Sequence, residues 1–460
     1  TIIGLEVHAQ LSTKSKMFCR CGTSYADAPP NTYVCPVCLG MPGVLPTINQ
    51  QAVEYTIMTA LALHCTISNY TKFDRKNYPY PDLMKGYQIS QSDAPFGHYG
   101  WLNIGTNGQK KKVGITNVHL EEDVAKLLHH TTAAGESYSL VDVNRAGVPL
   151  IEIVSEPDLR SPEEARQYLA NLRSILQYLS VSTANMEEGS FRCDANISIR
   201  LENSHDTTAK VEVKNMNSFK AVYRALEYEA ERQRKAVAEN KRLVQETRGW
   251  IEEKGITTSQ RSKEYAHDYR YFPEPDLPPL VLSQEWVEKI RSKLPELPEA
   301  RRERFITEYG LPFYDANLLT CSKAMADYEE EFVVVATCGP ANLPKAESAK
   351  IGSNWLLGEI SRIMNAKSIY IIEFKKLVSP DKLVRLTVLN STGIISVATS
   401  KSMLEEMYNT GKDPDTILKE GEYGQISDTQ QVNEVVSQVL ITNAQAVADY
   451  KAGKIQSFAF

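Results

Sequence analysis

Four prolines among residues 271–279 (Tyr-Phe-Pro-Glu-Pro-Asp-Leu-Pro-Pro) divide this chain in two. Proline has no amide donor and a fixed φ, so this stretch can form neither a helix nor the interior of a sheet. The sequence differs on its two sides. Before it lie extended runs with a few helices between them. From Gln284 onward helical patterns follow one another, at 285–294, 299–309, 323–337 and 349–365, with shorter helical segments from Pro380 on. The 460 residues are too many for one core, since a domain typically takes ~150. The patterns predict three units: a mixed α+β domain over 1–283, an all-α domain over 284–379 and a smaller helical tail over 380–460.

Within the first part, 2–11 reads as an extended start and 139–154 as a long β-rich run. Ile197, Ile199 and Leu201 alternate along 194–201, as Val211 and Val213 do along 210–215. That is the period of half-buried strands, and it predicts that the two segments pair. Ser161-Pro162-Glu163-Glu164 is a capping box with proline at the first helical position. Ala165, Tyr168, Leu169, Leu172, Ile175, Leu176 and Leu179 then repeat on one helical face. A second helix is expected over 218–240, with Phe219, Val222 and Leu226 inward. There is no regular strand–helix–strand rhythm, which argues against a doubly wound sheet. The balance of 51 Lys+Arg against 57 Asp+Glu excludes a chain that simply coats nucleic acid with positive charge. Apolar runs such as 332–338 are far too short to span a bilayer, and no charged-then-apolar leader opens the sequence. A cytoplasmic protein is expected, with a few residues preceding Thr1.

Eight cysteines are too few for a disulfide scaffold, but four of them cluster. Cys19-x-Cys21, thirteen residues, then Cys35-Pro-Val-Cys38 is the spacing of a closed, structural zinc site; the alternative is four buried or redox cysteines. Carboxylates also stand in unusual places. Glu6 and His8 share one face of a strand, His119-Leu-Glu121-Glu122-Asp123 groups four polar side chains, and Glu152 interrupts the apolar run 149–154. An unpaired buried carboxylate costs several kcal/mol, so these point either to an oxygen-rich Mg²⁺ site or to exposed strand positions. The segment 72–88, with Lys72, Arg75, Lys76 and Lys85 among tyrosines and prolines, reads as an irregular loop suited to phosphate or acyl groups, or as ordinary solvated surface. No GxxxxGK[ST], GxGxxG, HExxH or GxSxG motif is present, so any use of ATP must rely on metal ions and side chains.

IGLEVHAQL, KFDRKNYPYPDLMKGYQISQ, VHLEEDVAK, LVDVNRAGVPLIEIVSEPD, MEEGSFRCDANISIR, EVKNMNSF and DYRYFPEPDLPPL occur in this order. Together they resemble the signatures of the B subunit of glutamyl-/aspartyl-tRNA amidotransferases, the GatB family, over essentially the whole chain. The resemblance implies a glutamine-synthetase-like cradle with a zinc knuckle, then a helical domain and a YqeY-like tail. It implies that ATP phosphorylates the side-chain carboxylate of mischarged Glu-tRNA(Gln) or Asp-tRNA(Asn), and that ammonia then displaces the phosphate. It places Glu6, His8, Glu122 and Glu152 at a Mg²⁺ site, with Glu121 beside it. Lys76 and Lys85 match lysines at that site and along an ammonia channel, and Asp194 and Lys214 lie in matching motifs. Cys19, Cys21, Cys35 and Cys38 match a zinc motif that only some members carry.

The chain has no glycine-serine-rich amidase stretch and no GxCxG cysteine. Ammonia is therefore expected from a separate amidase, the glutaminase of the family's complexes, through a channel between the proteins. A small tethering protein would complete a heterotrimer (GatCAB). Family tails usually continue past the match to 456–460, which predicts a tail cut short. Residues 380–460 hold seven basic against ten acidic residues, a poor surface for tRNA. The rival reading is a non-catalytic zinc-ribbon RNA-binding protein, in which no reaction depends on Glu122 or Glu152.

Overall fold

The computed structural model describes residues 1–106, 109–200, 207–262, 269–421 and 429–454. Leu201 and the expected tail break at 456–460 lie outside the described residues. Contacts divide the chain into two units, Thr1–Arg301 with Cys321–Lys323, and Arg302–Thr320 with Ala324–Phe460. The first unit runs past the boundary expected at 283. The reason is packing: helix Gln284–Arg291 buries Val287 and Ile290 in the first core. The proline-dense segment is neither helix nor central strand. Its ends form two short edge pairings, Phe272–Pro273 with Asp74 and Arg75, and Leu280–Val281 with Tyr70 and Thr71.

A nine-stranded sheet organises the first unit. In spatial order its strands are Ile256–Ser262, Glu246–Ile251, Val211–Lys214, Phe191–Ser198, Ile2–Gln10, Pro149–Ser155, Gln109–Glu122, Gly97–Thr106 and Thr66–Ile67. All neighbours are antiparallel except Val211–Lys214 with Glu246–Ile251. The pairing expected between 194–201 and 210–215 is present, with Ala195 opposite Val213 and Ile197 opposite Val211. Strand residues alternate sides. In Ile2–Gln10 the odd positions Ile3, Leu5, Val7 and Ala9 are fully buried, while the even positions are half-buried.

Helices supply the other half of that core. Pro162–Tyr178 starts at the expected Ser161 cap, whose Oγ accepts from the Glu164 amide at 3.2 Å; the Glu164 carboxylate, expected to close a capping box on the Ser161 amide, accepts instead from the Arg160 amide at 2.7 Å. Its Ala165, Tyr168, Leu169, Leu172 and Leu176 are fully buried against the sheet's apolar side. Truncating one of these leucines to alanine would cost about 2–5 kcal/mol. Helix Phe219–Ala238 is capped by Ser218 and buries Val222, Ala225 and Leu226 in the same core. The expected run at 139–154 is broken. Asp142 caps a short turn at Val143–Arg145, and Gly147 at φ +83° follows it, so Ser137–Asp142 and Pro149–Ser155 belong to different sheets.

The second unit is helical, as expected, but one apolar cluster from Phe305 to Ile417 spans the boundary predicted at 380. The helix expected over 349–365 is present as Lys345–Trp355 and Ser361–Lys367, joined by a wider turn of helix at Leu356–Ile360. No helix among the described residues is long and apolar enough to cross a membrane.

Glu329, on helix Lys323–Cys338, is completely buried and its carboxyl oxygens make no hydrogen bond within ordinary geometry. Gly352 lets it sit there, since a Cβ at that position would fall 2.5 Å from Glu329 Oε2. Burial raises the Glu329 pKa well above 4.5, against the opposing pull of the Ser353 amide. A carboxyl that holds its proton longer when folded loses stability as pH rises from the unfolded value through the folded one. Stability of the helical unit should therefore decline from pH 4.5 upward by an amount that Glu329→Gln removes, which paired denaturation curves at acid and alkaline pH will measure.

Candidate functional site

The side of the central strands facing away from the apolar core carries the even-numbered residues of Ile2–Gln10, Phe191–Ser198 and Pro149–Ser155, and His119 and Glu121 of Gln109–Glu122. Register alone assembles its chemistry. Arg192, His8, Glu152 and His119 stand opposite one another across four strands. Two residues further along, Glu6 faces Asp194. His8 Nε2 lies 3.4 Å from Glu152 Oε2 and 3.7 Å from Glu121 Oε1, and His119 Nε2 lies 2.8 Å from Glu152 Oε2 and 3.8 Å from Glu121 Oε2. The Ser90 hydroxyl donates to Glu121 at 2.9 Å.

Charge in this cluster is mutually arranged. Burial opposes protonation of His8 and His119, but Glu152 and Glu121 outweigh it, raising both, His119 to about 10. Burial likewise opposes ionisation of Glu121 and Glu152, yet the two imidazoles hold both carboxylates below their ordinary range, Glu152 well below. Lys76 comes from a neighbouring three-stranded sheet. Its ammonium lies 5.0 Å from the Tyr269 ring and 5.9 Å from that of Tyr78. Burial works against its charge, but Glu121, Tyr271, Glu152 and Tyr78 together raise its pKa.

Ligand atoms of His8, Glu121 and Glu152 lie within 4.8 Å of one another. One imidazole and two buried carboxylates that stay ionised are a donor set suited to a hard divalent cation such as Mg²⁺ or Mn²⁺. Of the residues expected at a metal site, the structure brings His8 and Glu152 together, with Glu121 rather than Glu122 beside them. Neighbours on a strand point to opposite sides, so Glu121 joins His8 and Glu152 while Glu122 turns away. Glu122 Oε1 accepts from Lys85 Nζ at 2.5 Å and from the Ile89 amide at 3.0 Å. Glu6 also stands outside the cluster. It accepts from Asn196 at 2.8 Å, and burial and the nearby Glu152 raise its pKa. Asp194 pairs with Lys214; burial opposes the charge on that lysine, but Asp194 and Glu212 outweigh it and raise its pKa. Sequence reasoning noted His119 in a polar group but gave it no place in the site, although it shares parity with Glu121. It also gave no role to Tyr269 and Tyr271 beside Lys76.

The four cysteines do converge. Cys38 Sγ lies 3.5 Å from Cys19 Sγ and 3.7 Å from both Cys35 and Cys21. Metal–sulfur bonds of ~2.3 Å arranged tetrahedrally place sulfurs about 3.8 Å apart, so the set fits zinc. The Cys19 thiol and the Lys16 ammonium hold the Cys38 thiol down, whereas hydrogen bonding and burial push Cys19 up. Lys16 is fully buried, with its Nζ 3.6 Å from Cys38 Sγ and donating to the Tyr33 carbonyl at 2.8 Å. A buried cation there offsets part of the excess negative charge of four thiolates around Zn²⁺. Elemental analysis should find one zinc per chain, and Cys38→Ser should lose it; a chain purified without zinc would contradict the assignment.

A family model described as the GatB/GatE catalytic domain matches residues 1–288, and one described as the GatB domain, of YqeY type, matches 342–460. The chain is 60% identical over 460 residues to the B subunit of the aspartyl/glutamyl-tRNA(Asn/Gln) amidotransferase of Dehalococcoides mccartyi, covering all of this chain and 93% of the relative. It is 55% identical over 460 residues to the corresponding protein of Thermomicrobium roseum and 51% over 459 to that of Carboxydothermus hydrogenoformans, again with 100% and 93% coverage.

Proposed function

Because the chain belongs to the family of aspartyl/glutamyl-tRNA amidotransferase B subunits, we propose that it activates the side-chain carboxylate of mischarged Glu-tRNA(Gln) or Asp-tRNA(Asn) with ATP and then amidates it. The observation that carries this reading is the His8–Glu121–Glu152 cluster with the Lys76 ammonium beside it on the open side of the sheet. We read that open-sided sheet as the glutamine-synthetase-like cradle. His8, Glu121 and Glu152 would hold Mg²⁺, which when bound offsets the repulsion between two anionic reactants.

The chain's own residues do the rest. The substrate carboxylate has a pKa near ~4.3, so it is ionised at neutral pH and needs no base to attack the γ-phosphorus. The bond from that phosphorus to the β–γ bridging oxygen breaks, ADP leaves and an acyl phosphate remains. Lys76 donates to the phosphoryl oxygens, and His119 fixes Glu152. Ammonia then attacks the acyl carbon, the carbon–oxygen bond to phosphate breaks, and the nitrogen gives up a proton. Glu121 is held as a weak base by the imidazoles, so Glu122, paired with Lys85 outside the cluster, is the carboxylate that takes it. Asp194, Lys214 and Glu6 line the continuation of this side and position substrate. A glutaminase and a small tethering protein complete the heterotrimer, with ammonia arriving from the glutaminase through a channel.

Glu152→Gln keeps size and removes charge. It should slow ATP-dependent activation by several orders of magnitude, since metal neutralisation is worth several kcal/mol and each ~1.4 is tenfold. tRNA affinity, which rests on phosphates and shape, should hold. Glu122→Gln should retain activation and lose ammonium-dependent amidation. ADP release and tRNA binding in one buffer check this; activation at the wild-type rate in Glu152→Gln would remove Glu152 from the metal set, and tRNA binding without any ADP release in the unmutated complex would leave the RNA-binding reading standing.

A further inference from the structure

We propose that the four-cysteine knuckle is a positioning element for amide transfer: it sets the Lys85–Glu122 pair, and through that pair the use of ammonia, while leaving phosphoryl transfer alone. The inference rests on the reading of Glu122 as acceptor of the ammonium proton.

Two contacts join the knuckle to Lys85. Gly40, two residues past Cys38, adopts φ +61° hard against the lysine. A Cβ there would lie 2.6 Å from Lys85 Cγ and 3.1 Å from both Lys85 Cα and the Lys85 nitrogen. Two of those three atoms are backbone, which cannot swing aside as a side-chain end can. Met84 makes the second contact. It packs on the small apolar cluster of Cys38, Ala125, Val143 and Ala146, which Cys19, Cys21 and Cys35 also border. Cys38, Lys85 and Glu122 line a common recess with Asp82 and Tyr87.

Lys85 depends on such support. It sits outside any strand, in a turn made by Leu83 N–H donating to the Tyr80 carbonyl and Gly86 N–H donating to the Leu83 carbonyl. A flexible lysine on a turn holds a fixed ion pair only if its backbone is fixed from outside. The cluster of His8, Glu121 and Glu152 draws instead on strand register, which the knuckle does not set. Loosening the knuckle contact should therefore separate the two half-reactions.

Gly40→Ala in the complete, zinc-loaded heterotrimer tests this. Gly43→Ala serves as control, because Gly43 shares a positive φ, +85°, but its Cβ would meet nothing within 4 Å. Met84→Ala removes the second contact without backbone strain. Measured for each are zinc content, ADP release on activation with the KM for ATP, and amidation against ammonium concentration. Gly40→Ala and Met84→Ala should raise the ammonium KM about tenfold, ~1.4 kcal/mol, with zinc and the ATP parameters held and Gly43→Ala unchanged. An unchanged ammonium KM in both variants, or an equal fall of both half-reactions with zinc retained, overturns the proposal. Absence of ADP release in the wild type would overturn the proposed function itself, a distinguishable result.

Discussion

The register that sets His8 opposite Glu152, and Glu152 opposite His119, is the constraint on which the candidate site depends. Side chains alternate with a period of two, so a slip of one residue in either pairing would send imidazoles and carboxylates into the helix-covered core. The same alternation that buries Ile3, Leu5, Val7 and Ala9 therefore aims Glu6 and His8 outward. Core burial and site geometry are two readings of one pairing. The helices that cover the apolar side lock the register more firmly than the polar side could by itself.

Adjacent carboxylates on the Gln109–Glu122 strand take different surroundings for the same reason. Glu121 joins two imidazoles and Lys76, which keep it ionised; Glu122 meets Lys85 beside the cysteine knuckle. A two-step reaction has use for such a division. In the proposed mechanism one side would gather charge where anions meet, and the other would leave a carboxylate free of the cation site. The four cysteines stand near the second side, where Cys38 lines a recess with Lys85 and Glu122.

Much of this was legible in the residues. The Ser161 N-cap, the alternation around Ile197 and Val211, and the convergence of the four cysteines each follow a local physical rule legible in the residues. Helix Gln50–Ala62 was not foreseen. Eight of its thirteen residues are buried, several of them alanine or threonine, so no polar face marks its period. The choice between Glu121 and Glu122 was also beyond local rules. Parity pairs Glu121 with His119, but which parity faces His8 is fixed by pairing with Pro149–Ser155, a contact between distant segments. The packing of Gln284–Arg291 on the first core was hidden for a similar reason, because Val287 and Ile290 find their partners far back in the chain.

The claim that register, rather than sequence neighbourhood, selects the metal carboxylates is tested most directly by Mn²⁺ titration of the zinc-loaded protein, followed by calorimetry. The account predicts one Mn²⁺ site that Glu152→Gln and Glu121→Gln abolish and Glu122→Gln retains. Loss of the site in Glu122→Gln, with retention in Glu152→Gln, would contradict it.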